Sequence, residues 1–391
     1  MMKADKILKF TFWKTAAVII VAAGVYSTYL RFTKGLGAVT NLGDSVPWGL
    51  WIAFDFLGVG LSAAGFTIAA AVHVFNIEKF KPLVRPAVLT AYLGYILVVM
   101  LLVVDLGRPD NFWHPLVMWN HQSVMLEITW CIICYTTVLS LEFAPVIFEK
   151  YKLSTPARLL KKISIPVVIA GVIFSTLHQS SFGSLYLIVP GRLHPLWYSS
   201  ILPVNFFISC LAAGLSMIIF ESFLLKRALD REIRTDLLSK AAGWVMIILI
   251  VEFFVRFTDL FVSGRAANLF YASYETYMFW LEIIVGVFLP VVLLSKNRGH
   301  KIVVYLSSVL VICGFILNRF NVSITGLEKS AGTSYFPSFD EISITMMLIV
   351  IAMFVFKKAA EFLPVFEQSR NLQQNPDAAR KVNENKIILS E

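Results

Sequence analysis

Acidic side chains lie inside long apolar stretches of this sequence. An ionised group in such a stretch costs several kcal/mol unless it faces a bundle interior, a partner or water. Asp55 and Glu127 have no opposite charge within one helical turn on their own segment, so neither is paired locally. Carboxyl groups of this kind suit proton exchange. We therefore predict that Asp55 and Glu127 take part in proton transfer.

The spacing of other residues extends both positions into candidate proton paths. Asp55 and His73 are 18 residues apart, which is five helical turns, with Ser62 between them on the same face. Glu127 and Glu142 lie about 22 Å apart along another helix, on similar faces. Each pair would connect two depths of one membrane.

A further segment carries Glu252, Arg256 and Asp259 at positions i, i+4 and i+7. This spacing lets the guanidinium pair with either carboxylate on one helix face. Two interpretations remain open. The set is either a structural ion pair inside a bundle, for which Arg is the usual cation, or part of a proton path.

Quinone chemistry would need an apolar slot, donors for two carbonyl oxygens and an acid that exchanges protons. Side chains of these types occur near one end of four neighbouring segments. The candidates for quinone binding are Tyr95, Asp105, His121 and His178. His178 could equally be a hydrogen-bonded interior histidine.

The sequence does not favour a metal or haem site. Cys131 and Cys134 form a CxxC pair, but all four cysteines fall in apolar segments, which favours packing over a disulfide or an iron–sulfur cluster. A b-type haem needs two histidines at one depth on different helices, whereas His73 and His178 lie near opposite ends of their segments. A haem between His121 and His178 remains an alternative. We expect no metal and no haem.

A membrane-spanning scaffold must position these residues. Of the 391 residues, 58% are hydrophobic and 15% charged, and the mean hydropathy is +0.74, unlike a soluble domain. Crossing ~30 Å of hydrocarbon takes roughly 20 apolar residues. The windows that meet this requirement are 10–30, 47–75, 84–106, 124–148, 163–186, 202–225, 240–262, 275–295, 302–319 and 341–361. We predict an all-α membrane protein of about ten transmembrane helices.

The basic residues indicate how the chain is oriented. Most of the 34 Lys and Arg lie on the side of the N-terminus, and the positive-inside rule places that side in the cytoplasm. Both termini are then cytoplasmic, with a membrane domain over 1–362 and a flexible tail over 363–391. The net charge of +9 reflects this topology and lipid headgroups, and no nucleic-acid partner is expected.

Three connections on the opposite side are long and rich in aromatic residues, Pro, His and Gly: 107–123, 183–201 and 321–340. Loops of this kind often carry function. Because no segment of the sequence is a soluble domain, we expect a separate catalytic subunit to dock on them.

Several motifs resemble those of the NrfD-like family of membrane subunits. They are PWGLWIAFD (47–55), PLVRPA (82–87), LEFAP (141–145), HQSSFGSL (178–185), HPLW (194–197) and SYFPSFDE (334–341). The resemblance covers nearly the whole chain. It is strongest to the HybB-type membrane subunits of periplasmic nickel–iron hydrogenases.

The resemblance implies a haem-free protein of two four-helix bundles plus peripheral helices in the bacterial inner membrane. It also implies electron exchange between menaquinone or ubiquinone and a periplasmic, ferredoxin-like iron–sulfur subunit, with the hydrogenase large and small subunits as catalytic partners. In QSVMLEITW (122–130), Glu127 falls where the family has an acid linked to proton transfer, and Tyr95 falls near the expected quinone. Related subunits serve other reductases, so the catalytic partner stays open.

A secondary transporter is the alternative function, because interior carboxylates and repeated bundles also occur in that class. Gly58, Gly60 and Gly65 could break the second segment as in transporters. The sixth and seventh segments show no clear counterpart.

Overall fold

The structure is a computed structural model that describes residues 12–229 and 235–365; most of the predicted tail, 363–391, lies outside the described residues. Within those ranges the chain is helical, with loops, short 3-10 and π segments and no strand, as predicted. The helices are α1 (Phe12–Lys34), α2 (Leu50–Leu61), α3 (Ala64–His73), α4 (Lys81–Asp105), α5 (Val124–Lys150), α6 (Ser154–Lys162), α7 (Ser164–Leu187), α8 (Leu202–Leu229), α9 (Thr235–Val262), α10 (Tyr274–Ile283), α11 (Leu289–Asn297), α12 (Lys301–Phe320), α13 (Gly326–Ala331) and α14 (Phe339–Phe362).

Most of these helices are long and apolar enough to cross a membrane. In the described residues 9 spans meet that condition, and three of them combine two helices: α2 with α3, α10 with α11, and α12 with α13. The window 240–262 forms α9, which is not among the 9 but has 28 residues, about 42 Å of helix. Because α9 packs along α8 and α11, it completes the set of ten predicted segments.

The segments form two four-helix bundles, as the family resemblance implied. In the first bundle α3 packs against α4 and α7, and α5 packs against α4 and α7. In the second, α8 packs against α9 and α12, and α11 contacts both of those helices. The bundles meet where α7, α3 and α2 contact α8. Helices α1 and α14 pack on each other at the periphery, next to α4.

The second span is not one continuous helix. The window 47–75 is interrupted at Ser62, where a tight turn separates α2 from α3. Helix α8 approaches closely here, because a methyl group on Gly214 would lie 2.5 Å from a backbone nitrogen of α3. Asp55 and His73 therefore lie on two consecutive helices of one span, so the predicted spacing of five turns along one continuous helix is wrong, and the path between them stays a prediction.

The predicted connection 321–340 is too long. Helix α12 continues through a π segment, Asn321–Thr325, into α13, so the loop itself covers only 332–338. A second π segment, Ile284–Phe288, joins α10 to α11. π segments are rare and occur frequently at functional sites. Both lie in the second bundle.

A pair of glycines brings these two spans together. Gly286 of the second π segment lies against Gly314 of α12, and a methyl group on Gly314 would stand 2.0 Å from the Gly286 Cα. Only hydrogen fits between the two backbones at this point.

The two ends of the structure differ in their connections. One end, the long-loop end, carries segments 35–49, 106–123, 188–201, 263–273 and 332–338. The other, the short-loop end, carries 74–80, 298–300 and the connection that contains α6.

A buried carboxylate ties the long-loop end together. Glu341, at the start of α14, accepts a hydrogen bond from the Tyr335 hydroxyl. Its other oxygen accepts from the backbone N–H groups of Asn41 at 3.1 Å and Ser338 at 2.9 Å. Burial, reinforced by the hydrogen bond to Glu341, raises the pKa of Tyr335, so the phenol stays protonated and remains a donor. Two loops that are distant in sequence are thereby joined.

Candidate functional site

A hydrogen bond in the first bundle joins two of the predicted quinone ligands. The Tyr95 hydroxyl on α4 lies 3.0 Å from Nδ1 of His178 on α7, and both residues are fully buried. The imidazole also contacts the ring of Phe182, with centroids 4.5 Å apart. Its other nitrogen, Nε2, has no hydrogen-bond partner among the described residues. The pair therefore keeps one free site for a proton or a water molecule.

Three further polar side chains near this pair lack partners. Tyr135 on α5 stacks edge-on against Tyr95, with centroids 4.6 Å apart. Ser175, one turn before His178, lies beside both tyrosine side chains. The Tyr135 hydroxyl, the Ser175 hydroxyl and both amide atoms of Gln179 are buried and unpaired in the described part of the chain. Because buried polar groups usually bond to protein or ordered water, this interior is suited to hold water.

Glu127 lies at the edge of the same bundle. It sits in the first turn of α5, where the helix N-terminus favours a carboxylate, and Ser123 caps that helix. Glu127 is exposed, yet its Oε1 accepts a 2.6 Å hydrogen bond from the buried hydroxyl of Ser181. Ser181 follows His178 by three residues, about 4.5 Å along α7. Glu127 thus connects the bundle surface to the interior around His178.

His121 is part of the surface and not of the buried pair. It lies in the exposed loop before α5, with its ring 5.8 Å from that of Trp119. Trp119 in turn contacts Trp130 of α5 at 5.8 Å. Because Trp130 is three residues from Glu127 on α5, His121 belongs to the aromatic surface beside Glu127.

Asp55 and Asp105 form a separate group between the first bundle and the peripheral helices. Asp55 is 2% exposed, and neither carboxylate oxygen has a hydrogen bond within the described ranges. It lies near Asp105, which is itself near Arg31 of α1 and Glu341 of α14. Asp105 is about 15 Å from Tyr95 along α4. The structure therefore does not bring Asp105 to the Tyr95–His178 pair.

His73 and Glu142 meet at the short-loop end. Both line a cavity of about 510 Å³, with Lys161 of α6 also in its wall. His73 is exposed and Glu142 is partly buried. The sequence placed these residues on two separate stripes, whereas the fold brings the ends of both stripes to one cavity.

The second bundle contains a closed network around Glu282. The carboxylate forms an ion pair with Arg256 and accepts hydrogen bonds from the side-chain nitrogens of Trp197 at 3.0 Å, Asn318 at 2.8 Å and Asn321 at 2.9 Å. Glu282 is only 3% exposed. Four donors compensate for the burial of its charge, so this network joins three spans and the loop that carries Trp197.

The ion pairs differ from those predicted within α9. In the described structure Arg256 pairs with Glu282 of α10, and with neither Glu252 nor Asp259. Asp259 pairs instead with Arg265 at 3.1 Å. Glu252 and Arg256 together line two cavities, of about 410 and 330 Å³. Spacing along one helix could not decide the pairing, because the favoured carboxylate comes from the next span.

The sequence analysis missed Arg319. This residue is 1% exposed, and its guanidinium lies 3.8 Å from the ring centroid of Phe206 and 4.3 Å from that of Phe315. It also donates to the Ser209 hydroxyl at 2.8 Å. The predicted window ended at residue 319, so Arg319 resembled a flanking charge. The available signal is NRFN at 318–321, a polar run where the helix in fact continues.

Comparison with known proteins identifies the family. The family model described as polysulphide reductase, NrfD, matches residues 38–329. The chain belongs to the NrfD family. The matched region covers both bundles from α2 into α13 and omits the peripheral helices α1 and α14.

Relatives of this NrfD-family protein are membrane subunits of oxidoreductases. It is 32% identical to the probable Ni/Fe-hydrogenase 2 b-type cytochrome subunit of Escherichia coli (strain K12), over 90% of this chain and 91% of the relative. It is 27% identical to the menaquinone reductase integral membrane subunit of Nitratidesulfovibrio vulgaris, over 94% of each chain. It is 26% identical to the Hdr-like menaquinol oxidoreductase integral membrane subunit of Archaeoglobus fulgidus, over 73% of this chain and 72% of the relative. Two of these three names specify menaquinone or menaquinol.

The expected absence of haem stays a prediction, because the Escherichia coli relative is named a b-type cytochrome subunit. In the ranges that the structure describes, no cluster of three or more His, Cys, Asp or Glu could hold a metal ion. The four cysteines are free.

Replacing Glu282 with alanine should strongly destabilise the NrfD-family protein, because it leaves Arg256 buried without its carboxylate. We expect a loss of about 3–5 kcal/mol in the free energy of unfolding, measured as thermal unfolding of the detergent-solubilised protein. Glu361→Ala is the matched control, because Glu361 pairs with Lys358 at a more exposed position and should cost about 1 kcal/mol or less. Equal shifts for both variants would contradict a structural role for the Glu282 network.

Proposed function

We propose that this NrfD-family protein is the quinone-reactive membrane subunit of a respiratory oxidoreductase complex in a bacterial inner membrane. It exchanges electrons between an iron–sulfur subunit docked at the long-loop end and menaquinone or ubiquinone in the bilayer. Glu127 exchanges the accompanying protons. The observation that carries the proposal is the hydrogen bond between exposed Glu127 and buried Ser181.

The position of Glu127 suits a substrate that arrives from the bilayer. A quinone has an apolar tail and a polar head, so its head group must reach an acid without the tail leaving lipid. Glu127 is open to the bundle surface beside Trp130, and it is bonded on its inner side to Ser181. Tyr95 and His178 lie behind this contact and supply groups that donate and accept hydrogen bonds.

Asp55 and Asp105 supply a second candidate for proton transfer. Their carboxylates lie near each other, and Asp55 has no hydrogen-bond partner among the described residues. A buried carboxyl group without a partner is held most easily with a proton. This site is separate from Glu127, so it would exchange protons independently of the Tyr95–His178 pair.

The long-loop end offers a surface for the electron-transfer partner. A cavity of about 740 Å³ opens there, lined in part by Trp48, Arg192, Glu328 and Tyr335. Aromatic and arginine side chains are enriched at protein interfaces. The similarity to a Ni/Fe-hydrogenase 2 b-type cytochrome subunit supports a nickel–iron hydrogenase as the catalytic partner. Its large and small subunits and a ferredoxin-like subunit are the partners that the family resemblance implies.

The transporter alternative receives less support from the fold. Transporters place broken helices at corresponding positions of their repeats. The span broken at Ser62 opens the first bundle, and its counterpart opening the second bundle is α8, which is unbroken from Leu202 to Leu229. The two halves thus differ at the position where a transporter repeat would match.

Replacing Glu127 with glutamine should slow quinone-linked electron transfer by about 100-fold or more, because the amide cannot exchange a proton. The measurement is the reduction of decylubiquinone by membranes that contain the assembled complex, with hydrogen as the donor. Reduction of an artificial dye by the catalytic partner should remain unchanged.

Glu275→Gln is the matched control for that experiment. Glu275 also lies in the first turn of a helix at the long-loop end, on α10, so its replacement tests the loss of charge at a helix start alone. If the Glu127→Gln complex reduces quinone at the wild-type rate, with the same amount of complex assembled, Glu127 takes no part in the mechanism.

We further propose that the short-loop end and both termini face the cytoplasm, because the basic residues concentrate there. A green fluorescent protein fused to the C-terminus should then fluoresce, since it folds in the cytoplasm, whereas alkaline phosphatase fused at the same point should be inactive. Active phosphatase without fluorescence would reverse this orientation.

We expect no haem in the subunit itself. The purified subunit, separated from its partners, should give no b-type haem bands in its reduced-minus-oxidised absorption spectrum and no haemochrome with pyridine. One haem per chain would refute this expectation and direct attention to the buried His178, whose Nε2 has no hydrogen-bond partner.

A further inference from the structure

One connection at the short-loop end differs from its neighbours in charge. The segment 149–162, which runs from the last turn of α5 through α6, contains five Lys or Arg and one Glu. The connection 74–80 contains one Lys and one Glu, and 298–300 contains one Arg and one His. The segment 149–162 contributes nothing to the site around Glu127, so its charge belongs to a different interaction.

The basic residues of α6 are gathered on one side of the helix. Arg158, Lys161 and Lys162 are exposed and follow i, i+3, i+4 spacing, which places them beside one another. Ala157 is buried and Leu160 is partly buried, and Leu160 lines the cavity of about 510 Å³ together with residues of α5 and α7. The helix thus packs inward through small and apolar side chains and presents a basic face, Arg158, Lys161 and Lys162, to the outside.

An exposed apolar surface adjoins this basic face. Leu159 and Ile163 are exposed and are four residues apart. Helix α7 continues the surface with exposed Ile165, Ile169 and Ile173, again at intervals of four residues, which cover about 12 Å of helix. A short helix with one basic and one apolar face, placed where transmembrane helices end, is typical of contact with an anionic membrane surface.

The chain itself does not neutralise the basic face. Lys161 pairs with Glu149 at 3.4 Å, but Glu149 also pairs with Arg85 at 2.9 Å. Arg158 and Lys162 form no ion pair with any residue that the structure describes. One carboxylate is therefore shared by two cations, and the remaining positive charge is open to an anion from outside the chain.

Two further charges at this end are consistent with an anion at the surface. Lys152, between α5 and α6, has a φ of 58°, in the left-handed region where Gly or Asn is usual after a helix. The sequence thus keeps a long basic side chain where glycine would fit with less strain. Glu142 lies seven residues before Glu149, about 10 Å deeper along α5, so its carboxylate is set back from the surface.

We propose that α6 binds the headgroup of an anionic phospholipid. The phosphate group lies against Arg158, Lys161 and Lys162, and the acyl chains lie along Leu159 and the exposed isoleucines of α7. An anionic lipid matches both the basic and the adjoining apolar surface, whereas a free phosphate ion matches only the basic one. The site does not depend on the proposed quinone chemistry, because α6 follows the end of α5 opposite to Glu127.

The opening of α6 reports on this contact. A helix of 9 residues is marginal on its own in water, so contacts at its surface determine how often its backbone hydrogen bonds open. The measurement is hydrogen–deuterium exchange of the amides in 153–163, read by mass spectrometry. It uses the whole complex, with its native partner subunits, in nanodiscs of phosphatidylcholine or of an equal mixture with phosphatidylglycerol that has the same acyl chains.

For the wild type we expect exchange in 153–163 to be slower by about 5-fold or more in the nanodiscs that contain phosphatidylglycerol, because each basic residue near an anionic surface adds attraction. The connection 74–80, which carries no excess of basic residues, should exchange at the same rate in both kinds of nanodisc.

Replacing Arg158 and Lys162 together with glutamine removes two charges without breaking an ion pair of the described structure. We expect this double variant to lose the difference between the two kinds of nanodisc. The matched control is Lys296→Gln with Lys301→Gln. Both lysines are exposed at the same end, on α11 and α12, so the control removes equal charge away from α6 and should keep the slower exchange.

Three results would overturn the lipid site. The first is equal exchange of wild-type 153–163 in both kinds of nanodisc, which needs no variant to assemble. The second is a slowing that persists in the Arg158 and Lys162 variant, or that the control loses equally, since the net charge of this end would then explain it. The third is an equal slowing by inorganic phosphate added to phosphatidylcholine nanodiscs, which would assign the basic face to a free anion. None of these results bears on quinone reduction.

Discussion

A polar side chain inside a membrane bundle must find its partners within the protein, because hydrocarbon offers no hydrogen bonds. Both bundles meet this constraint only in part. In the second, Glu282 collects four donors from two other spans and one loop and joins them, while Ser216, Ser307 and Asn321 each keep an unpaired oxygen in the described structure. In the first, Tyr95 pairs with His178, while Tyr135, Ser175 and Gln179 remain without partners.

The two bundles carry different polar groups. The second bundle contains both π segments, one of which includes Gly286 of the Gly286–Gly314 contact, and it contacts the first bundle through α8. The first bundle carries Glu127 at its edge and the Tyr95–His178 pair in its interior. Chemistry that moves protons needs polar groups that can change partners, whereas the Glu282 carboxylate is held by four donors.

The peripheral helices α1 and α14 lie outside the region that the NrfD model matches, yet they help to shape the long-loop end. Glu341 of α14 joins two loops through Tyr335 and backbone N–H groups. Arg31 of α1 donates to the Val104 carbonyl at the end of α4, near Asp105. The two helices thus hold the surface that a soluble partner would contact.

The sequence by itself determined the class of the protein, because the thickness of a bilayer fixes how long an apolar segment must be. It also predicted Glu127, Tyr95 and His178 as site residues, because their polarity stands out against apolar neighbours, and their roles stay predictions. Only the tertiary structure decided which groups meet: Tyr95 with His178, Arg256 with Glu282, and His73 with Glu142 at one cavity. Spacing along one helix determines on which face and at what depth a side chain lies, but it does not determine which helix packs against that face. Each of these pairs joins residues of two different helices.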